Sequence, residues 1–161
     1  MKPRTIVVMG VSGAGKSHVG RNLADRLGWR FADADDYHPA ANVAKMRAGE
    51  PLDDTDRQPW LDALNELLKG SGEPLVLACS ALKASYRDTI RGDLTDVAFV
   101  FLNGSYEAIA GRLESRQGHY MPASLLRSQF EALEPPADAL ELDCLLPPAE
   151  LVDRIALEFG L

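Results

Sequence analysis

A chain of 161 residues with 46% hydrophobic and 25% charged side chains can bury one sizeable core, and it reads as a single soluble globular domain over residues 1–161. A net charge of −7, from 17 basic and 24 acidic residues, argues against non-specific nucleic-acid binding, which needs a basic face. Two cysteines, Cys79 and Cys144, are too few for a disulfide framework or a zinc site, and no apolar run approaches the roughly 18 residues of a membrane span.

Strand-like and helical patterns alternate along the chain, which predicts an α/β fold with a mainly parallel sheet flanked by helices. Thr5 to Met9 is a short β-branched run of the kind that forms a buried strand. It starts too early to leave room for a signal peptide, so the chain reads as cytoplasmic. Gly10-Val11-Ser12-Gly13-Ala14-Gly15-Lys16-Ser17 follows, and Val19, Leu23 and Leu27 then recur at helical spacing up to Gly28. Trp29 to Ala32 is expected as a second strand, delivering Asp33, Asp35 and Asp36 to the carboxyl edge of the sheet.

Asn42 to Arg47 reads as a short helix. Either Thr55 or Asp56 caps the next one, from about Arg57 to Lys69, with Trp60, Leu61, Leu64, Leu67 and Leu68 on its apolar side. Leu75 to Ala78 is a continuous apolar strand, followed by a polar helix carrying Lys83, Tyr86, Arg87 and Arg91. Val97 to Leu102 is a fourth strand, and Ser105 caps a helix to about Arg116. Gly118 and Pro122 then break the pattern, as in a small lid over about 116–124. Ser124 to Leu133 is helical, Ala139 to Leu142 a last strand, and Pro148 to Phe159 an amphipathic closing helix.

Residues 10–17 fit G-x-x-x-x-G-K-[ST], the loop that cradles nucleotide phosphates, and they sit between a strand and a helix as the motif requires. Glycines let the backbone curl so that its N–H groups point at phosphate oxygens, and the helix N-terminus adds its own. Lys16 is placed to reach the β- and γ-phosphates of ATP, and the Ser17 hydroxyl to ligate Mg2+. No N-K-x-D guanine-reading motif occurs, and the third strand ends at Cys79-Ser80 without an aspartate for the metal. Magnesium therefore relies on Ser17, phosphates, waters and Asp33. On placement alone, Asp35 is the candidate to orient an acceptor hydroxyl and take its proton. Lys16, Arg116 and either Lys83 or Arg87 supply positive charge around the transferred group. Trp60 and Tyr86 read as packing residues, and Asp36 as part of a solvated turn.

The pattern resembles the gluconate kinases, small P-loop kinases related in fold to shikimate kinase. The resemblance runs through Met9 to Ser17, Asp33-Ala34-Asp35 with His38-Pro39, Asn42 and Lys45-Met46, and Gly49 to Arg57 with Pro59-Trp60-Leu61. It continues through Cys79 to Lys83 with Tyr86-Arg87-Asp88, Arg112-Leu113, Arg116 to Met121, and Gln129-Phe130-Glu131. The resemblance implies a P-loop three-layer sandwich that phosphorylates D-gluconate at its 6-hydroxyl with ATP and Mg2+. It implies Asp35 as proton acceptor and Asp33 as a magnesium ligand through water. It places His38, Arg57, Lys83 and Arg87 at the gluconate, Arg112 against adenine, and Arg116 closing on the phosphates. His119 is either a substrate contact or a lid residue without direct chemistry. The resemblance also suggests a homodimer. A kinase of another hydroxy acid, or a non-catalytic nucleotide-binding module, are the alternative readings.

Overall fold

The computed structural model describes residues 2–115 and 123–161, so most of the expected lid, with Arg116, Gly118, His119 and Pro122, lies outside the described residues. Thr5–Met9 forms β1, Arg30–Asp33 β2, Leu75–Ala78 β3, Val97–Asn103 β4 and Leu140–Asp143 β5. They pair in the order β2-β3-β1-β4-β5, and every pair is parallel.

All five residues of β1 are buried, because a strand in the middle of a parallel sheet is covered on both faces. Strand alternation sorts its side chains into two cores. Ile6 and Val8 join Val76, Val100 and Leu102 beneath α1 (Lys16–Leu27) and α7 (Pro148–Phe159). Val7 and Met9 join Leu75, Leu77, Phe99 and Phe101 beneath α3 (Asp54–Gly70) and α4 (Ala84–Arg91). Helices on both faces of one sheet make the expected three layers.

The elements that position the site differ in detail from the sequence reading. β2 begins at Arg30 and keeps Asp33 within the strand, paired with Ala78. A 3-10 turn over Ala34–Tyr37 follows, too short to show periodicity, and then α2 (Ala40–Arg47). Neither Thr55 nor Asp56 caps α3. Asp53 does: its carboxylate accepts from the Asp56 amide at 2.7 Å, while the Asp56 carboxylate accepts from the Asp53 amide at 3.0 Å. This reciprocal box satisfies two helix-end donors at once. Ser105 caps α5 (Tyr106–Ser115) as expected, accepting from the Ala108 amide at 3.1 Å. After the undescribed residues, α6 spans Ala123–Ala132.

From β1 the chain runs to β2 at one edge, returns through β3, then crosses to β4 on the other side of β1. That reversal opens a crevice at the carboxyl ends of β1 and β3, where ligands of open parallel sheets bind. No helix among the described residues is long and apolar enough to cross a membrane.

Candidate active site

The phosphate loop sits at the mouth of this crevice. Gly13 has φ 86°, and a Cβ there would come within 2.9 Å of Leu113 Cγ, so only glycine fits both the backbone and the space. Gly15 has φ 93° and lies 3.7 Å, from its would-be Cβ, to Arg112 Nη2. Arg112 is thus set beside the loop, with Nη1 donating to the Cys144 carbonyl at 2.9 Å. Lys16 Nζ folds back to the Val11 carbonyl at 3.1 Å. The Gly10 amide donates to the Ser80 carbonyl at 3.3 Å, joining this loop to the end of β3.

Asp33 leaves β2 directly opposite. Ser17 Oγ donates to Asp33 Oδ2 at 2.9 Å, and the Asp35 amide donates to Asp33 Oδ1 at 3.0 Å. Asp35 is exposed. Its carboxyl is pushed above the usual range by desolvation first and by the Asp33 charge second, with Lys16 pulling it back. Burial pushes the Lys16 ammonium down from its ordinary value, opposed mainly by Asp35. Two acids and one ammonium therefore share one field. Cys79, buried nearby, is pushed up to about 12 by desolvation and stays a thiol, which removes it as a nucleophile.

Arg57 and Lys83 gather around one carboxylate. Lys83 Nζ lies 3.7 Å and Arg57 Nη1 3.9 Å from Asp54 Oδ1, and Tyr86 Oη donates to the same oxygen at 2.6 Å. Both cations also lie over the Tyr86 ring, 5.5 and 5.6 Å from its centre. Burial, and then this bond to Asp54, push the Tyr86 phenol up to about 12. Tyr86 packs as expected, yet it also organises the two cations.

Arg87 is engaged by main-chain carbonyls. It is only 7% exposed, and its guanidinium donates to the carbonyls of Ala81 at 2.8 Å, Leu82 at 3.2 Å and Glu134 at 2.8 Å. Ala81 has φ 47°, the one positive φ outside glycine among the described residues. Arg87 therefore holds a strained turn between β3 and α4. Its neighbour Glu134 assists by accepting from the Ala84 amide at 2.7 Å.

His38 stacks on Trp60, ring centres 4.4 Å apart and 13° from parallel, and Trp60 Nε1 donates to the Ala34 carbonyl at 2.7 Å. Trp60 packs in the core as expected and also braces the acidic turn. Three residues given no role by the sequence reading emerge here: Asp54, Asn42 beside His38, and Gln129. Gln129 Oε1 accepts from the Ser12 amide at 2.8 Å and its Nε2 donates to Ser12 Oγ at 3.1 Å. The Gln129-Phe130-Glu131 element carried the only sequence signal for that contact.

The shikimate kinase family profile matches residues 12–134. Gluconokinase of Gluconobacter oxydans is 54% identical over 142 residues, covering 86% of this chain and 79% of that protein. The thermosensitive gluconokinase of Escherichia coli is 47% identical over 139 residues, covering 84% and 74%. The chain belongs to the gluconokinase family. A gluconokinase structure from Sinorhizobium meliloti superposes with a TM-score of 0.91 at 47% identity, covering 98% of this chain and 92% of that one. Shikimate kinase from Bacteroides thetaiotaomicron, at 19% identity and TM-score 0.72, shares the fold. Family membership makes the chain an ATP-dependent kinase.

Proposed function

We propose that this gluconokinase-family chain transfers the γ-phosphoryl group of ATP to the 6-hydroxyl of D-gluconate, giving 6-phospho-D-gluconate and ADP. The observation that supports the acceptor most is the pairing of Arg57 and Lys83 around the Asp54 carboxylate, a setting that would hold the carboxylate of a sugar acid equally well. The curated gluconokinase relatives support the same substrate.

In this reading the loop amides and Lys16 hold the β- and γ-phosphates, and Arg112 lies along the base. Arg116 is assigned to the phosphates, and His119 either to a substrate contact or to no direct chemistry; both lie outside the described residues. Asp35 accepts the proton of the C6 hydroxyl while that oxygen bonds to the γ-phosphorus and the bond to the β-phosphate oxygen breaks. A carboxylate with a raised pKa is a better base for this step than a free one, since its proton affinity lies closer to the working pH. The Ser17 hydroxyl and the Asp33 carboxylate, 2.9 Å apart, are hard oxygen groups that would hold Mg2+ together with the phosphates, Asp33 through water. Bound there, Mg2+ would neutralise charge on the transferring phosphates. His38 sits at the acceptor side. A cytoplasmic setting suits an ATP-consuming reaction.

The test is ADP release from ATP and Mg2+ with gluconate, shikimate and a panel of sugar acids. Gluconate is expected to exceed the others in kcat/KM by at least about tenfold, or ~1.4 kcal/mol of transition-state binding. Equal turnover across the panel would overturn the named acceptor, and no turnover with any would overturn the kinase assignment.

A further inference from the structure

Asn42 lies on α2, only 3% exposed, with its side-chain amide between two groups. Nδ2 donates to the Asp56 carbonyl at 2.9 Å and lies 3.2 Å from His38 Nδ1. The carbonyl can only accept, so it dictates which end of the amide faces it; turning the amide over would set oxygen against oxygen. With Nδ2 fixed, its second hydrogen points at His38 Nδ1, which must then carry a lone pair. In a neutral imidazole the proton is then on Nε2. Charging the ring would place an N–H of His38 against an N–H of Asn42 and break this contact.

The ring plane is fixed as well. Trp60 stacks against it and is itself tied to the Ala34 carbonyl, between Asp33 and Asp35. Two charged groups act on the ring: Asp35, which favours protonation, and Arg57, which opposes it. Burial outweighs both and holds the imidazole below its ordinary value. His38 thus lies near enough to feel both the proposed base and one of the proposed carboxylate ligands.

We propose that Asn42 is a positioning residue that fixes His38 as the neutral Nε2–H tautomer, and that this N–H donates to a hydroxyl oxygen of the polyol acid bound between Asp35 and Arg57. The donor half rests on the acceptor assigned above. A neutral ring adds no further positive charge beside Asp35, where Lys16 already lowers its basicity, whereas an imidazolium would.

The experiment is long-range proton–nitrogen correlation on the full chain labelled with nitrogen-15 histidine. His38→Gln separates the His38 signals from those of His18 and His119. At neutral pH, Nδ1 of His38 is expected to resonate as an unprotonated nitrogen and Nε2 as a protonated one, and saturating gluconate is expected to move the Nε2 signal. Asn42→Ala should mix the tautomers and raise KM for gluconate about tenfold, the worth of one hydrogen bond, with KM for ATP unchanged. An Nδ1–H or doubly protonated His38 in the unaltered chain, or an Nε2 signal indifferent to gluconate, would overturn the inference. So would equal rises in both KM values for Asn42→Ala. Gluconate turnover is measured alongside: its absence overturns the acceptor assignment and the donor role with it, whereas a wrong tautomer with intact turnover overturns this inference alone.

Discussion

Ser17 Oγ donates to Asp33 Oδ2 at 2.9 Å, tying the end of the phosphate loop to the first acid beyond it in the chain to reach the crevice. The two residues come from different strand exits and meet because β3 separates β1 from β2, leaving α1 to bridge the gap. A hydroxyl and a carboxylate held in this way would suit the magnesium ion proposed to arrive with nucleotide.

Asp33→Asn is therefore expected to shift the magnesium dependence of turnover to higher concentration by about tenfold, as when a residue supporting a metal ligand is lost. KM for gluconate should change little. A magnesium titration superimposable on that of the unaltered chain would remove Asp33 from the metal site. Chelation of magnesium should abolish turnover in both.

Arg57→Lys keeps the charge but loses the planar fork that carries its bonds to the Leu52 carbonyl at 2.9 Å and the Tyr86 hydroxyl at 3.2 Å. KM for gluconate is expected to rise by about tenfold or more, the scale of a lost charge-assisted hydrogen bond, with KM for ATP unchanged. Steady-state kinetics with each substrate varied in turn decides it. An unchanged KM for gluconate would move the acceptor carboxylate elsewhere.

Arg87→Met should act on stability. Three carbonyls would lose their donor in a buried turn, at a cost of about 2 kcal/mol or more, enough to lower the thermal midpoint by roughly 5 °C. Thermal unfolding checks this. A midpoint equal to that of the unaltered chain, with a raised KM for gluconate, would return Arg87 to the substrate.

Gln129→Glu sets a negative charge against the Ser12 amide and hydroxyl, within the phosphate loop. KM for ATP is expected to rise severalfold, on the order of 1 kcal/mol, and more than for Gln129→Leu, because a carboxylate also repels phosphate. Equal effects of the two substitutions would reduce the contact to packing.

The parts legible in the sequence are those set by local rules. Continuous apolar runs mark β1 and β3 because both faces of each are covered, and the loop spells out its own backbone needs at Gly13 and Gly15. The α3 cap was not legible, since Asp53-Asp54-Thr55-Asp56 offers four capping side chains in a row. Tertiary contact decides among them: Asp54 is drawn to Tyr86 and Asp56 to Lys45, at 2.9 Å, which leaves Asp53 as the cap. Arg87 looks like its neighbour Lys83 on paper, yet the carbonyl that buries it belongs to Glu134, 47 residues on. Gln129 and Ser12 are 117 residues apart, beyond any periodicity. The orientation of Asn42 likewise depends on a main-chain carbonyl at Asp56, on another element.

Asp35 also sets a pH dependence. Its folded-state pKa is raised, so the folded chain holds the proton more tightly than the unfolded one, and its contribution to stability is lost as pH rises through the folded value. Activity is expected to run the other way, because the proposed base must be ionised. The acid limb of kcat/KM is expected above the ordinary carboxylate value of 3.8, and Asp35→Asn at neutral pH should have a thermal midpoint no lower than that of the unaltered chain.

The same substitution tests the central claim most directly. Asp35→Asn should bind ATP as the unaltered chain does, by calorimetry, while turnover with gluconate falls by about 10²-fold or more and its acid limb disappears. Turnover close to that of the unaltered chain, with the acid limb intact, would contradict the account.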